Sequence, residues 1–477
     1  MDPLKTDLVV VGGGPGGYTA AFYASDKGKR VILVEQEKSL GGVCLHKGCI
    51  PSKALLHAAR AITEARESKA RGIVFPAPKI HLDKVRAWKD SVVDRLAQGL
   101  KSLSRERGVE VMTGRGYFEN SALLRVETEE GQKFIQFENA IIAVGSRPVL
   151  PRDFDLGNPR IMTSTEALEL KTIPRDFLIV GGGYIGMELG TVYAALGSRI
   201  VLAEAMESIL IGVDPDLARP VMRYAEQAFR EVRLGAKVLK MATQKNKIRV
   251  TMELKAGNRE AGSGKRDELY DRVLVSVGRV PDCDDVGLEN TKVERDDNGF
   301  IRVDDGQRTS DPAIFAIGDA ARGPLLAHKA SKEARVAVNV IAGGEGTFQN
   351  IVMPAVVYTD PEVAWCGLTE SEARKEGIPV EVMRVPWAAS GRALTLGRPD
   401  GLTKLILEPD TGRVLGVGIS GVGAGELISE GVLAVEMGAT ARELAEVVHP
   451  HPTLSETLME GAEGFYGFAT HSARRRR

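Results

Sequence analysis

Two cysteines five positions apart, Cys44 and Cys49 in the stretch GGVCLHKGCIPSK, are the residues best placed by type and spacing to do chemistry. Three uses are open to such a pair: metal ligation, a structural staple, or reversible redox. A structural zinc site normally needs four ligands with short spacings. The remaining cysteines, Cys283 and Cys366, stand alone without a nearby Cys or His, and read as ordinary thiols. In a regular helix the pair would be separated by about 7.5 Å of rise and about 140° of rotation, against the ~4.4–6.8 Å span of a disulfide. Gly48 and Pro51 supply the local distortion that pairing would need. So short a loop constrains the unfolded chain little, which makes a weak staple; a reversible dithiol makes sense. His46, Lys47, Lys53 and a helix N-terminus are the local features that would lower a thiol pKa.

The elements that must position these thiols are written twice. DLVVVGGGPGG, a helical stretch and RVILVE read as strand, glycine turn, helix and strand, with Gly12, Gly14 and Gly17 in the turn and Glu35 ending the second strand. FLIVGGGYIGMELG, a helix and RIVLAE repeat the plan with Gly181, Gly183, Gly186 and Glu204. Gly17 to Glu35 and Gly186 to Glu204 each span 18 positions. One such motif is weak; two with matched spacing predict two dinucleotide sites. The first glycine permits the tight turn, the second admits the pyrophosphate, and the third allows close helix–strand packing. The helix N-terminus stabilises the phosphate, and the acid accepts from ribose hydroxyls. Each unit closes on a similar strand and turn, IIAVGSRP and VLVSVGRVP.

The 477 residues suffice for about three domains. A net charge of −1 favours neither nucleic acid nor a membrane surface. The chain has no apolar run of the roughly 18 residues a membrane span needs, and a cytoplasmic, reducing compartment is the default expectation. Val85, Trp88, Val92, Leu96, Leu100 and Leu103 recur at helical spacing and predict a helix packed on the core. TSDPAIFAIGDA reads as a strand ending at Gly318-Asp319, and the region beyond Gly343 as antiparallel strands with interspersed helices. The ARRRR end reads as a solvated basic tail.

GGVCLHKGCIPSK following a first G-x-G-x-x-G resembles the flavoprotein disulfide reductases, and more narrowly their lipoyl-oxidising dehydrogenases. GGGYIGMELG, SVGRVP, AIGDA, GPLLAHKA, YTDPEVAWCGLTE and HPTLSE extend the resemblance over nearly the whole chain. It implies an α/β fold of two Rossmann-like dinucleotide-binding domains plus a C-terminal α+β dimerisation domain. The expected division is 1–150 for FAD, 151–272 for NAD, 273–348 completing the FAD region, 349–468 for the interface and 469–477 for the tail. By resemblance Gly12, Gly14, Gly17, Glu35, Gly42, Lys53, Gly116, Asp319 and Ala327 would hold FAD, with Asp319 on the ribityl chain. Gly181, Gly183, Gly186, Glu204, Val238 and Gly278 would hold NAD. Cys44 would be the interchange thiol and Cys49 the flavin-side thiol. Lys53 and Glu188 would pair near the reactive flavin nitrogen. His451 and Glu456 would be the base and its orienting carboxylate, supplied across a homodimer, with His449 structural.

The implied reaction oxidises protein-bound dihydrolipoyl groups with NAD+ as acceptor. The carrier would belong to a 2-oxoacid dehydrogenase, to glycine cleavage, or to a specialised pathway such as sulfur oxidation. Glu204, with no arginine in AEAMES, suits NAD rather than NADP. An NADH-dependent reductase of another disulfide is the alternative, and a flavin-binding subunit without catalysis is a third reading that the intact Cys44, Cys49, His451 and Glu456 set opposes. Two departures stand out. LHKG replaces the family's common LNVG between the cysteines, and Val144 replaces a frequent threonine.

Overall fold

In the computed structural model, which describes residues 2–255, 264–349 and 351–471, both predicted glycine turns open helices behind parallel strands. The first sheet runs Glu110–Thr113, Val31–Glu35, Leu4–Val11, Gly131–Ile142, Leu123–Thr128, Arg115–Asn120, and Ile314–Ala316 adds in parallel to Gly131–Ile142. Leu4–Val11 is hemmed by parallel partners on both sides, and Leu8, Val9 and Val10 are fully buried, as an apolar run in a two-sided sheet must be. The second sheet is parallel throughout: Glu231–Arg233, Arg199–Ala203, Asp176–Val180, Arg272–Val275, Ile161–Met162. Beside it lies an antiparallel meander of Ala236–Gln244, Lys247–Leu254 and Gly264–Tyr270. The C-terminal region is a five-stranded antiparallel sheet, Ala355–Val357, Glu362–Gly367, Val414–Gly421, Leu402–Leu407, Glu381–Pro386, covered by helices that include Ala424–Glu436 and Glu456–Tyr466.

Two expectations are corrected. The boundary at 272/273 falls inside a strand: Arg272–Val275 pairs with Asp176–Val180 and Ile161–Met162, so the second unit continues through Val275. The helix Leu82–Glu106 forms, but its apolar stripe is not all core, because Trp88, Leu96 and Leu103 are exposed. Val85 packs toward the core shared with the second unit and Leu100 toward the first, so this long helix touches the chain at intervals only. The ARRRR tail, 473–477, lies outside the described residues.

The three regions share a core. The cluster around Phe177 and Tyr193 takes in Leu55 and Ala59 from the dithiol helix and Val357 and Val363 from the C-terminal sheet. A second tie is ionic. Lys404, only 1% exposed, reaches Asp214 at 2.8 Å, Asp216 at 2.6 Å and Glu370 at 3.0 Å. These are the three carboxylates among the described residues close enough to share a cation, and the Lys404 ammonium already fills that role. Burial would raise Asp214 and Asp216, but the Lys404 ammonium overrides it and holds both below the ordinary aspartate range.

Lys404→Met leaves Arg384 on Asp216 and Glu370 but takes the ionic partner from buried Asp214, and truncating one member of a buried pair costs about 3–5 kcal/mol. Thermal or denaturant unfolding at neutral pH should show a loss of that order. The lowered carboxyl pKa values mean that the ionic contribution is present above the normal aspartate pKa and fades as pH falls through the depressed ones. The gap between wild type and variant should therefore narrow in acid.

Candidate active site

The first glycine turn shows why only glycine serves there. Gly12 sits at φ +106°, and a Cβ on Gly17 would lie 1.7 Å from the Gly12 carbonyl oxygen. That close approach sets the helix Pro15–Asp26 against the strand, and no side chain caps its N-terminus, so its first N–H groups stay available to an anion. Glu35, buried at the strand end, accepts from the Gly13 N–H at 2.7 Å and the Glu37 N–H at 2.8 Å. The second turn repeats this. Gly181 sits at φ +104°, a Cβ on Gly186 would lie 2.1 Å from the Gly181 carbonyl oxygen, and Gly183 opens on empty space. The helix Tyr184–Leu196 is uncapped by side chains, and Glu204 accepts from Gly182 at 2.6 Å and Met206 at 2.7 Å. Each carboxylate keeps lone pairs for ribose hydroxyls.

From the first turn a cleft of about 820 Å³ runs to the dithiol. It is lined by Gly12, Gly14, Glu35, Gly42, Cys44, Cys49, Lys53, Gly116, Asp319 and Ala327. Gly17 lies behind this wall, holding the turn in shape. The order fits an extended dinucleotide: ribose acceptor, uncapped helix, polar anchor, then a reactive end. Gly181, Gly183, Gly186, Glu204 and Gly278 are not among the residues lining this cleft, and Gly186 is buried in its turn. Val238 differs from the rest: its side chain is buried with Ala236 and Met241, leaving a nucleotide only its backbone.

Cys44 ends up beside Cys49 because the helix breaks between them. One helix, Gly42–Lys47, stops at Gly48, and a second, Cys49–Glu67, starts at once. A Cβ on Gly48 would sit 2.9 Å from the Val43 carbonyl oxygen. In the reduced pair the Cys44 thiol donates to Cys49. That bond holds Cys49 down to about 7 against the opposing effect of burial, with the Lys53 charge assisting. Its counterpart and burial push Cys44 up. Cys49 is exposed, but into the cleft. Cys283 and Cys366 are each pushed up to about 12 by burial and stay inert thiols.

Lys53 Nζ meets Glu188 at 2.8 Å, joining the dithiol helix to the second unit's helix. Glu188 is buried and also accepts from the Tyr358 N–H at 3.0 Å, and Lys53 lies 4.5 Å from the Tyr358 ring centre. Asp319 accepts from Ser146 Oγ at 2.5 Å, and Ser146 in turn accepts from Arg279. Tyr358, Ser146 and Arg279 carried no role in the sequence reading. The last two had a signal in the repeat, since each follows the glycine of its unit's closing turn.

His451 Nδ1 bonds Glu456 at 2.8 Å, leaving Nε2 free. Glu456 starts the helix Glu456–Tyr466. Partial burial would raise it, but the Thr453 N–H and His451 hold it below the usual range. His451 is 76% exposed, and neither it nor Glu456 is among the residues lining the cleft that holds the dithiol. His449 is turned inward, bonding Glu430 and the Val447 carbonyl. His46 and Lys47 bond Leu40 O at 2.9 Å and Glu37 at 2.6 Å, tying the short helix Gly42–Lys47 to the loop after Glu35.

Residues 6–334 match the family model of pyridine nucleotide-disulphide oxidoreductases, and 353–462 match the dimerisation domain of that family. The chain is 45% identical over 467 residues to the dihydrolipoyl dehydrogenase of Vibrio cholerae, covering 98% of this chain and 97% of that protein. It is 46% identical over 468 residues to that of Haemophilus influenzae, covering 98% and 96%. Among solved structures it resembles the HOCl-induced flavoprotein disulfide reductase RclA of Escherichia coli at TM-score 0.84 and 26% identity, covering 96% of this chain and 99% of that one. LpdA of Mycobacterium tuberculosis shares the fold at TM-score 0.87 and 24% identity, covering 96% and 99%. With both family models matched in order and full-length relatives well above 30% identity, the chain belongs to the pyridine nucleotide-disulphide oxidoreductase family.

Proposed function

We propose that this chain oxidises dihydrolipoyl groups carried on a partner protein, with NAD+ as the final acceptor, through Cys44–Cys49 and FAD. The observation that carries the reading is the placement of the thiol pair: Cys44 and Cys49, on either side of the helix break at Gly48, line a dinucleotide cleft together with Lys53. Gly12, Gly14, Gly42, Gly116, Ala327, Glu35 and Asp319 would hold FAD, and Gly181, Gly183, Glu204, Gly278 and the Val238 backbone NAD, with Gly17 and Gly186 shaping the two turns. When bound, FAD accepts two electrons from the dithiol and passes them as hydride to NAD+.

The residues' own steps follow from the geometry. His451 Nε2 takes a proton from a dihydrolipoyl thiol, and Glu456 on Nδ1 steadies the resulting imidazolium. The substrate thiolate attacks Cys44 Sγ, the Cys44–Cys49 bond breaks, and Cys49 leaves as thiolate. A low leaving-thiol pKa speeds that step, which the Cys44 bond and Lys53 supply. The second substrate thiol then attacks the mixed disulfide, releasing oxidised lipoyl and the reduced pair. His451 is outside its own chain's cleft, so we assign it to the partner subunit's site, across a dimer built on residues 353–462. We further place the chain's divisions near 148, 278 and 349, where it crosses between sheets.

Two outcomes test this. Cys44→Ser and His451→Gln should each cut dihydrolipoamide turnover, the second by about 10²–10⁴-fold. Mixed dimers of the two should recover activity, because one of their two sites has both residues intact; silence in the mixture places His451 in its own chain's site. The reduced pair should release its first proton near pH 7, read by thiolate absorbance with Cys283 and Cys366 silent in that range. Lys53→Met should move that midpoint upward, since it removes a charge that favours the thiolate.

A further inference from the structure

The closing turns of the two repeats meet. Ser146–Pro148 and Arg279–Pro281 pair antiparallel, with Val149 N–H bonded to Gly278 O and Asp282 N–H to Gly145 O, both at 3.0 Å. Arg279 leaves the second unit and lines the first unit's cleft. Its Nε donates to Ser146 Oγ at 2.8 Å and its Nη2 to Ser146 O at 2.6 Å. A serine hydroxyl has one proton. With Arg279 occupying Oγ as a donor, that proton must point elsewhere, and its partner is Asp319 Oδ2 at 2.5 Å. Ser146 is 4% exposed, so water does not compete easily for either bond.

Asp319 is pinned from its other side as well. The preceding Gly318 gives its N–H to Glu333 at 2.7 Å, and its carbonyl accepts from Lys329 at 3.0 Å. Lys329 and Glu333, 1% and 2% exposed, pair with each other at 2.9 Å. The backbone at Gly318 is thus fixed by a buried ion pair, and the remaining freedom, the direction of the carboxylate, is fixed by Ser146.

We infer that Arg279 is a positioning residue for the flavin cofactor. By orienting the Ser146 hydroxyl it occupies one oxygen of Asp319 and leaves the other to accept from the bound dinucleotide. A residue of the NAD-side unit thereby sets the geometry of the FAD-side anchor. This rests on the reading of Asp319 as an FAD contact.

The test is the rate of FAD release from the holoenzyme into chaotrope, followed by flavin fluorescence, with flavin absorbance recorded alongside. Hydrogen bonds to a charged group support about a tenfold effect. Ser146→Ala and Arg279→Met should each speed release by about that factor and shift the flavin band. The double variant should be no faster than Ser146→Ala alone, because Arg279 acts through Ser146. Arg279→Lys, which retains one donor, should fall between. If Arg279→Met does not fold, the Lys variant runs the same cycle. Multiplying effects in the double variant, or unchanged release in Arg279→Met, would overturn the inference. Asp319→Ala separates the two readings: if it too leaves release unchanged, the assignment of FAD to this cleft fails; if it speeds release while Arg279→Met does not, only the relay fails.

Discussion

The Glu188 carboxylate is the buried charge on which the arrangement depends. At 5% side-chain exposure, it has lost most of its hydration. An ion in that position costs several kcal/mol unless its oxygens are met by donors. Its two donors come from different regions: Lys53 Nζ from the dithiol helix and the Tyr358 N–H from the start of the C-terminal sheet. Glu188 itself belongs to the second dinucleotide unit. All three regions must therefore be in place together before this carboxylate is satisfied. The same meeting point places the Lys53 charge beside the dithiol, so the contact that assembles the regions also assists the Cys44 interaction in lowering Cys49.

The dithiol adds a second constraint. Two thiols sharing one proton lose their protons in two separated steps that belong to the pair, and the Lys53 charge favours the thiolate at either member. A regular helix through 44–49 would have turned the sulfurs apart. The break at Gly48 brings them together while Leu55 and Ala59, further along the second helix, anchor it in the shared core. In this chain the preceding helix is also tied down by His46 and Lys47, the residues where it departs from the common LNVG pattern.

What the sequence made legible is what is local. Glycine–acid spacing encodes a turn whose contacts lie within one strand–helix–strand unit, so both turns and both carboxylates were readable before any fold was known. The α/β class followed from those units. Less local features were not readable. The stripe from Val85 to Leu103 has the right period for a buried face, but periodicity does not say how much of a 25-residue helix meets the rest of the chain. The boundary at 272 went astray because VLVSVGRVP reads as one stretch, whereas Arg272–Val275 closes the second sheet and Arg279–Pro281 pairs with the first unit's exit. Val238 was named for its place in a family pattern, and only the packing shows its side chain turned into the core.

Ser146 and Arg279 show how repetition carries information that neither copy holds alone. Each unit leaves its sheet through a glycine turn, and the residue after that glycine opens the crossing strand. The two crossings pair antiparallel with Arg279 opposite Pro148 and Ser146 opposite Pro281, so Ser146 and Arg279 lie diagonally and the arginine's length closes the gap. A serine and an arginine there make a donor–acceptor pair, where two like residues would compete or leave a buried group unmet. The repeat therefore does more than provide two nucleotide sites. It creates a junction between them at which a single substitution in one copy acts on the other, and Asp319, the end of that chain of bonds, lies in the cleft that also holds the dithiol.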